Sequence, residues 1–220
     1  ADIFCTVEEG IKGPRAVEWR LVDEVVPSSQ FQARVQAKAL EMAAGSDRPT
    51  DRTGVSLSQL QRKSVEDHIQ YPHLEVHINR AERHAELEIH GPDEEAPADA
   101  KAAASLGDRW YVLALARALD DAILHLRFNE PEIGTLIFKS EGDPALVLSH
   151  DRFLSREAED WFVREVRLFW KRVFKRVDLT SRTLFALIEP GSCFSGFLAE
   201  LLFAADRSYM LAGSFENNTL

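Results

Sequence analysis

The residues best suited to chemistry lie in one stretch near the end of the chain, residues 189–211, which read EPGSCFSGFLAELLFAADRSYML. Glu200 offers a carboxylate for proton transfer, and Cys193 offers a thiol that could act as a nucleophile. Both also have a structural interpretation, because a single carboxylate on a helix commonly faces solvent and a small residue suits a tight turn. The histidine nearest to Cys193 in sequence is His150, so the structural interpretation of the cysteine is favoured.

The elements around these residues predict a site made of backbone amides. The run from Thr183 to Ile188 is short, apolar and rich in β-forming residues, which indicates a strand buried on both faces. A Pro-Gly pair then breaks the strand, and residues 194–205 predict an apolar helix that ends at Asp206. The first N–H groups of a helix have no intrahelical acceptor, and the helix dipole reinforces them, so such a start favours an oxyanion.

This arrangement resembles the centre of the crotonase superfamily, whose enzymes act on acyl-CoA thioesters and stabilise a thioester enolate with two backbone amides. The family commonly has three glycines, an apolar residue and a glutamate ahead of a helix that ends in aspartate. Counted back from Asp206, only the first glycine is present, as Gly196. The resemblance places one oxyanion amide on Phe197 and the first catalytic carboxylate on Glu200. The second carboxylate of the family's hydratases would fall in residues 217–220, which contain no acid.

The resemblance also implies a second oxyanion amide, which in the family lies near the loop after an earlier strand. Here an amphipathic helix that begins near Trp110 is followed by residues 133–138, IGTLIF, which predict a buried strand. The loop over residues 139–144 corresponds to the family's loop. Gly142 is the residue in that loop with the most permissive backbone, so it is the candidate for this amide.

The first 45 residues resemble the end of one crotonase-like domain, on the motif GPRAVEWRLVDEVVP, in which Arg20 replaces the family's glycine. Residues 21–26 predict a strand, and an apolar stripe over residues 31–42 predicts a packing helix. Polar residues then predict a linker over residues 46–72. Alternating apolar residues from Leu74 onwards predict a hairpin that opens a second domain over residues 73–220. The expected fold is therefore α/β and crotonase-like, a repeated ββα superhelix, with the tail of one unit followed by the N-terminal part of a second.

Four histidines of the predicted hairpin, His73, His77, His84 and His90, suggest a test for a metal site. Alternation along a strand places polar residues on the wet face in any case. No accompanying set of acids or cysteines has a zinc-like spacing, so we expect no metal.

A long helix is predicted after Ser155, which is placed as its N-cap, with an apolar stripe that includes Phe162, Val166 and Val173. Its opposite flank is basic. That flank could meet the phosphates of CoA, but a solvated helix face is the simpler interpretation.

The composition limits the classes of partner. The chain has 220 residues, of which 45% are hydrophobic and 28% charged, which suits a globular protein with a sizeable core. A net charge of −10 argues against nucleic acid. No run is long enough for a membrane span, and two distant cysteines predict neither a disulfide scaffold nor a zinc ribbon, so we expect a cytoplasmic protein. The chain begins without Met and ends soon after a strand, from which we expect a piece of a longer protein.

The order of the two motifs, an end of one unit followed by most of another, resembles the tandem, ring-cleaving branch of the crotonase superfamily. That branch implies opening of the oxidised ring (epoxide or dihydrodiol) of benzoyl-CoA to a semialdehyde thioester and formate. It also implies an acyl-CoA substrate, no separate cofactor and a homo-oligomer. The family's acids would precede Ala1, so we expect this piece alone to be inactive. Two alternatives stay open: an enoyl-CoA hydratase or isomerase, and a non-catalytic scaffold for packing and oligomerisation.

Overall fold

The computed structural model describes residues 2–47 and 54–212, and the chain divides into two compact units, Ala1–Thr53 and Gly54–Leu220. The described part of the first unit is helical. Its elements are α1 (Asp2–Cys5), α2 (Pro14–Glu18), a 3₁₀ turn (Ser28–Gln30) and α3 (Phe31–Ala44).

Helix α2 ends in a turn that explains an unexpected residue of the sequence. Arg20 has a φ of 56°, in the left-handed region that favours glycine. Its N–H donates to the Val17 carbonyl, and the N–H of Leu21 donates to the Ala16 carbonyl, both over 2.9 Å. These two bonds are those of a Schellman motif, so arginine adopts here a conformation in which glycine is the usual residue.

Two predictions for the first unit are wrong. Residues 21–26 form bends and irregular chain rather than a strand. The apolar stripe of α3 is exposed rather than packed, since the side chains of Phe31 and Val35 are 53% and 48% accessible.

The second unit is built on a mixed sheet whose seven described strands lie in sequence order. They are β1 (Lys63–Val65), β2 (His68–Tyr71), β3 (Leu74–Asn79), β4 (His84–His90), β5 (Thr135–Glu141), β6 (Thr183–Ile188) and β7 (Arg207–Met210). Neighbours from β1 to β4 are antiparallel and neighbours from β4 to β7 are parallel. The mixed α/β class predicted from the sequence is confirmed.

Helices follow the strands and cover one face of this sheet. They are α4 (Ala100–Leu106), α5 (Tyr111–Asn129), α6 (Pro144–Arg156), α7 (Trp161–Asp178) and α8 (Glu200–Ala204). Alternate strand residues such as Val76, Leu87 and Phe138 are fully buried in the core that the helices complete. Two polar contacts fix α7 against α5: the indole N–H of Trp170 donates to the Val112 carbonyl, and Arg176 pairs with Asp120 at 2.6 Å. Among the described residues, no helix combines the length and the apolar character that a membrane crossing requires.

Two further boundaries differ from those predicted. Strands β1 and β2 lie within residues 46–72, which the sequence assigned to a linker; residues 48–53 of that range lie outside the described part. The long helix does not start at Ser155. Instead α6 ends at Arg156, and Asp160 caps α7 by accepting hydrogen bonds from the N–H groups of Phe162 and Val163. An aspartate that satisfies two otherwise unpaired amides fixes a helix start more strongly than a serine inside a continuing helix.

Candidate functional site at the ends of the parallel strands

The candidate site lies at the carboxyl ends of β4, β5 and β6. These strands are parallel neighbours, so their carboxyl ends lie at one edge of the sheet, where α/β proteins commonly bind ligands. A glycine follows each strand closely: Gly91, Gly142 and Gly191. Their backbones are joined in a row. The N–H of Gly91 donates to the carbonyl of Glu141 over 2.8 Å, and the N–H of Gly142 donates to the carbonyl of Gly191 over 3.0 Å.

This row of loops is closely packed. A Cβ atom at Gly142 would lie 2.9 Å from the Cα of Gly91, and one at Gly91 would lie 3.2 Å from the Sγ of Cys193. Gly142 also has a φ of 150°, which side chains rarely permit. Gly142 therefore requires glycine for reasons of packing and backbone conformation, whereas a Cβ at Gly91 would be a tight contact that requires its neighbours to shift slightly.

The hydrogen bond to Gly191 corrects one prediction. The Gly142 amide was a candidate for the second oxyanion donor, but it is already engaged by a backbone carbonyl. An amide proton held in a bond of this length is not available to a substrate oxygen. The permissive backbone of Gly142 suited the role, but the acceptor comes from the loop after β6, 49 positions away along the sequence.

The turn after β6 is held by its own polar groups. The N–H of Cys193 donates to the Ser140 hydroxyl over 3.0 Å, and the N–H of Ser195 donates to the Cys193 carbonyl over 2.8 Å. The Ser195 hydroxyl donates to the Pro144 carbonyl over 3.1 Å. Cys193 is fully buried, and burial raises the pKa of its thiol, so the structural interpretation of this cysteine fits and an activated nucleophile does not.

The helix predicted over residues 194–205 is shorter and begins differently. It consists of a 3₁₀ turn (Gly196–Ala199) that leads into α8, which ends at Ala204. Gly196 has a φ of 49°, and a Cβ there would lie 2.7 Å from the Cβ of Asp151 on α6. The glycine that the chain shares with the crotonase motif is therefore required by the approach of this turn to α6.

Phe197 retains the property for which it was predicted. Its N–H donates no hydrogen bond to any described residue, so the amide is unengaged. The phenyl ring is buried and meets the indole of Trp170 edge to face, with ring centroids 5.0 Å apart. This contact anchors the ring against α7.

Glu200 begins α8, and its side chain is exposed. No described residue forms a hydrogen bond or an ion pair with its carboxylate. Residues 217–220, where the hydratases' second carboxylate would fall, lie outside the described part of the chain. Glu200 and the Phe197 amide belong to one short segment, but the structure gives the carboxylate no partner that would position it.

A buried polar group that sequence reasoning missed lies beside this turn. The Tyr111 hydroxyl is buried without a hydrogen-bond partner among the described residues, and burial raises the pKa of this phenol well above its usual value. The imidazoles of His73 and His150 contact its ring, at centroid distances of 4.9 and 5.4 Å. A tyrosine at the start of an amphipathic helix gives no sequence signal of such a cluster, since the histidines come from distant segments.

The basic flank of α7 faces solvent. Most of its cations are exposed, and the half-buried Arg176 is paired with Asp120. A solvated helix face therefore accounts for this flank without a ligand.

The comparisons with known proteins give one close relative in sequence. Benzoyl-CoA-dihydrodiol lyase from Aromatoleum evansii is 44% identical over 223 residues, which is 100% of this chain and 40% of that protein. The chain thus spans about two fifths of the length of the curated relative that it matches. No family model matches the chain.

Among solved structures, an enoyl-CoA hydratase from Geobacillus kaustophilus HTA426 is similar, with 16% identity and a TM-score of 0.40, over 64% of this chain and 46% of that one. A TM-score of this size is too low to carry an argument, so the relationship depends on the sequence relative. Over its entire length, this chain is similar to a segment of benzoyl-CoA-dihydrodiol lyase.

Proposed function

We propose that the chain is part of a benzoyl-CoA-dihydrodiol lyase of the crotonase superfamily, the tail of one crotonase-like domain followed by the start of a second. The whole enzyme opens the oxidised ring of benzoyl-CoA, as its epoxide or dihydrodiol, to a semialdehyde thioester and releases formate. The observation that carries the proposal is the 44% identity to the lyase of Aromatoleum evansii across all of this chain.

The chemistry requires charge stabilisation at the thioester carbonyl while ring carbons are attacked and fragmented, for which preorganised amide donors are the usual device. In the described residues the Phe197 amide is unengaged, whereas the Gly142 amide is not. Of the two amides that the crotonase resemblance selects, only one can donate to a substrate oxygen, so the expected pair is incomplete. The proposal therefore assigns the catalytic acids and the complete hole to the rest of the enzyme, and the 220-residue chain alone is inactive.

A chimera tests the proposal. This chain replaces the aligned segment of the Aromatoleum evansii lyase, and formate release from ring-oxidised benzoyl-CoA is measured against the parent enzyme and against the isolated chain. Retained activity in the folded chimera and none in the chain is expected. A folded chimera without activity would contradict the proposal. Turnover by the isolated chain would contradict the assignment of the catalytic acids to the rest of the enzyme.

A scaffold role is the second candidate, favoured by the bonded Gly142 amide and by the exposed carboxylate of Glu200, which pairs with no described residue. Glu200→Gln and Phe197→Gly in the active chimera distinguish the two roles. Unchanged turnover and thioester affinity in both variants indicate a scaffold. A large fall in kcat for Glu200→Gln indicates a working site and would reopen the hydratase or isomerase alternative, in which a carboxylate near Glu200 acts as its partner.

The remaining parts of the proposal concern partners and location. The substrate is an acyl-CoA, the reaction uses no separate cofactor, and the enzyme is a cytoplasmic homo-oligomer that binds neither nucleic acid nor membrane. The net charge of −10 and the two unpaired cysteines, Cys5 and Cys193, support the partner classes and a reducing compartment. Light scattering on the chimera checks the oligomer, since a monomer would contradict it.

A further inference from the structure

A cluster of possible metal ligands lies on the sheet, on strands β2 and β3. His68 is on β2, and Glu75 and His77 are on β3, which pairs antiparallel with β2. The register places His68 directly opposite His77, and Gln70 directly opposite Glu75. Since alternate residues of a strand share a face, all four side chains lie on the face opposite the buried core residues.

The ligand atoms of this cluster converge. The Nε2 atom of His68 lies 3.1 Å from one carboxylate oxygen of Glu75, and the Nε2 atom of His77 lies 3.6 Å from that same oxygen. The two imidazole rings are stacked, with centroids 4.5 Å apart and an interplanar angle of 7°. One ligand atom from each of the three residues lies within 4.8 Å of the others, so a single ion could reach all three after small rotations of the side chains.

The surroundings orient the carboxylate. The second oxygen of Glu75 accepts a hydrogen bond from the Gln70 amide over 3.4 Å and lies 3.8 Å from the Nε2 atom of His90. Hydrogen bonds of this kind around a ligating carboxylate fix its direction. The two histidines of the cluster also line an open cleft of about 470 Å³, in which Asp67 and Glu86 are ion-paired with Arg80 and Lys139.

The donor set indicates the class of ion. Two imidazole nitrogens and one carboxylate oxygen are ligands that suit Zn²⁺ and its first-row neighbours, whereas Mg²⁺ and Ca²⁺ prefer oxygen alone. We propose that His68, Glu75 and His77 bind one divalent transition-metal ion, Zn²⁺ first, with water in the remaining positions. The ion joins β2 to β3 on the face of the sheet opposite the buried core.

This inference departs from the expectation of no metal, and the reason is the register. The candidates from the sequence were His73, His77, His84 and His90, and no acids or cysteines at zinc-like spacing accompanied them along the chain. The third ligand comes instead from the neighbouring strand, and the carboxylate is two residues from His77 on the same face.

Calorimetric titration of the metal-free 220-residue chain with ZnCl₂ tests the site. We expect one saturable ion per chain and a rise in melting temperature, because an ion that binds only the folded state stabilises it. Glu75→Gln and His77→Gln are expected to weaken binding by about 10- to 100-fold or more, since even substitutions of outer partners of a metal site have effects of that size. The matched control is His84→Gln, a histidine that lines the same cleft outside the cluster and should leave the affinity unchanged.

Two results would overturn the proposal: no saturable binding by the wild-type chain, or equal affinity in the cluster variants and the control. Nuclear magnetic resonance of the ring nitrogens in the wild-type chain gives a readout that needs no variant. Zn²⁺ should shift the Nε2 signals of His68 and His77 first, and a first response at any other histidine would count against the site.

Discussion

The backbone N–H of Gly142 lies 3.0 Å from the carbonyl oxygen of Gly191 and donates a hydrogen bond to it. This bond joins the loops after β5 and β6, the two loops from which a crotonase-like oxyanion hole would be assembled. In the described structure these loops support one another instead, so that of the two candidate amides, Gly142 and Phe197, the Gly142 amide is engaged and the Phe197 amide donates to no described residue. Because the two loops are packed together in this way, substitutions at their glycines should lower the stability of the protein.

Gly142→Ala should lower the free energy of unfolding by about 2–4 kcal/mol, because a strained φ and overpacking each cost about 1–3 kcal/mol. The new Cβ would lie 2.9 Å from the backbone of Gly91. Gly134→Ala is the matched control, since nothing lies within 4 Å of its Cβ position. Urea denaturation of both variants checks the prediction, and equal stability of the two would contradict the packing described here.

Gly196→Ala should destabilise the turn before α8 through a clash with one residue. A Cβ at this position would lie 2.7 Å from the Cβ of Asp151, so Asp151→Gly removes the obstructing atom. The single variants should each be less stable than the parent, with Asp151→Gly costing about 0.3 kcal/mol, because aspartate ranks just above glycine in helix propensity. The double variant should be more stable than the sum of the two losses implies, by about 1 kcal/mol, and strict additivity in a double-mutant cycle would exclude the contact.

Loss of the hydroxyl should change the free energy of unfolding in opposite directions at two tyrosines. Tyr111→Phe should raise the free energy of unfolding by about 1–2 kcal/mol, because its buried hydroxyl has no partner among the described residues. Tyr71→Phe should lower it by about 1–2 kcal/mol, because this hydroxyl donates to the Asp121 carboxylate over 2.7 Å. Chemical denaturation at neutral pH checks both, and a stabilising Tyr71→Phe or a destabilising Tyr111→Phe would contradict the assignments.

Stability should fall as the pH is lowered from 7.5 to 5.5, partly through His150. Burial lowers the pKa of its imidazole, although a hydrogen bond with the Glu94 carbonyl acts in the opposite direction. Its Nδ1 atom accepts from the indole N–H of Trp110, which can only donate, so the ring is neutral in this arrangement. A group with a lowered folded pKa contributes stability that is complete above its unfolded pKa, about 6.5, and is lost as the pH falls through the folded pKa.

The variant His150→Gln should reduce this slope, as judged by denaturation at several pH values between 7.5 and 5.5. It should not abolish the slope, because burial lowers the pKa of His73 as well. A slope identical to that of the parent chain would show that His150 does not titrate with folding.

The sequence by itself determined the features that depend on local patterns. Alternation at Leu74, Val76 and Ile78 predicted β3, and the hairpin with β4 is present. The apolar run from Thr183 to Ile188 predicted β6 with its bounds as observed. These predictions hold because the period of apolar residues must match the period of the element that buries them. The similarity of the chain to benzoyl-CoA-dihydrodiol lyase is likewise a property of the sequence alone.

Only the tertiary structure decided which groups meet. The acceptor for the Gly142 amide, the neighbour that excludes a side chain at Gly196 and the partner strand that brings His68 to Glu75 and His77 all come from distant parts of the chain. Strand register and loop packing set these pairs. Because a shift of one residue turns every side chain of a strand to the other face, spacing along the chain cannot supply such contacts.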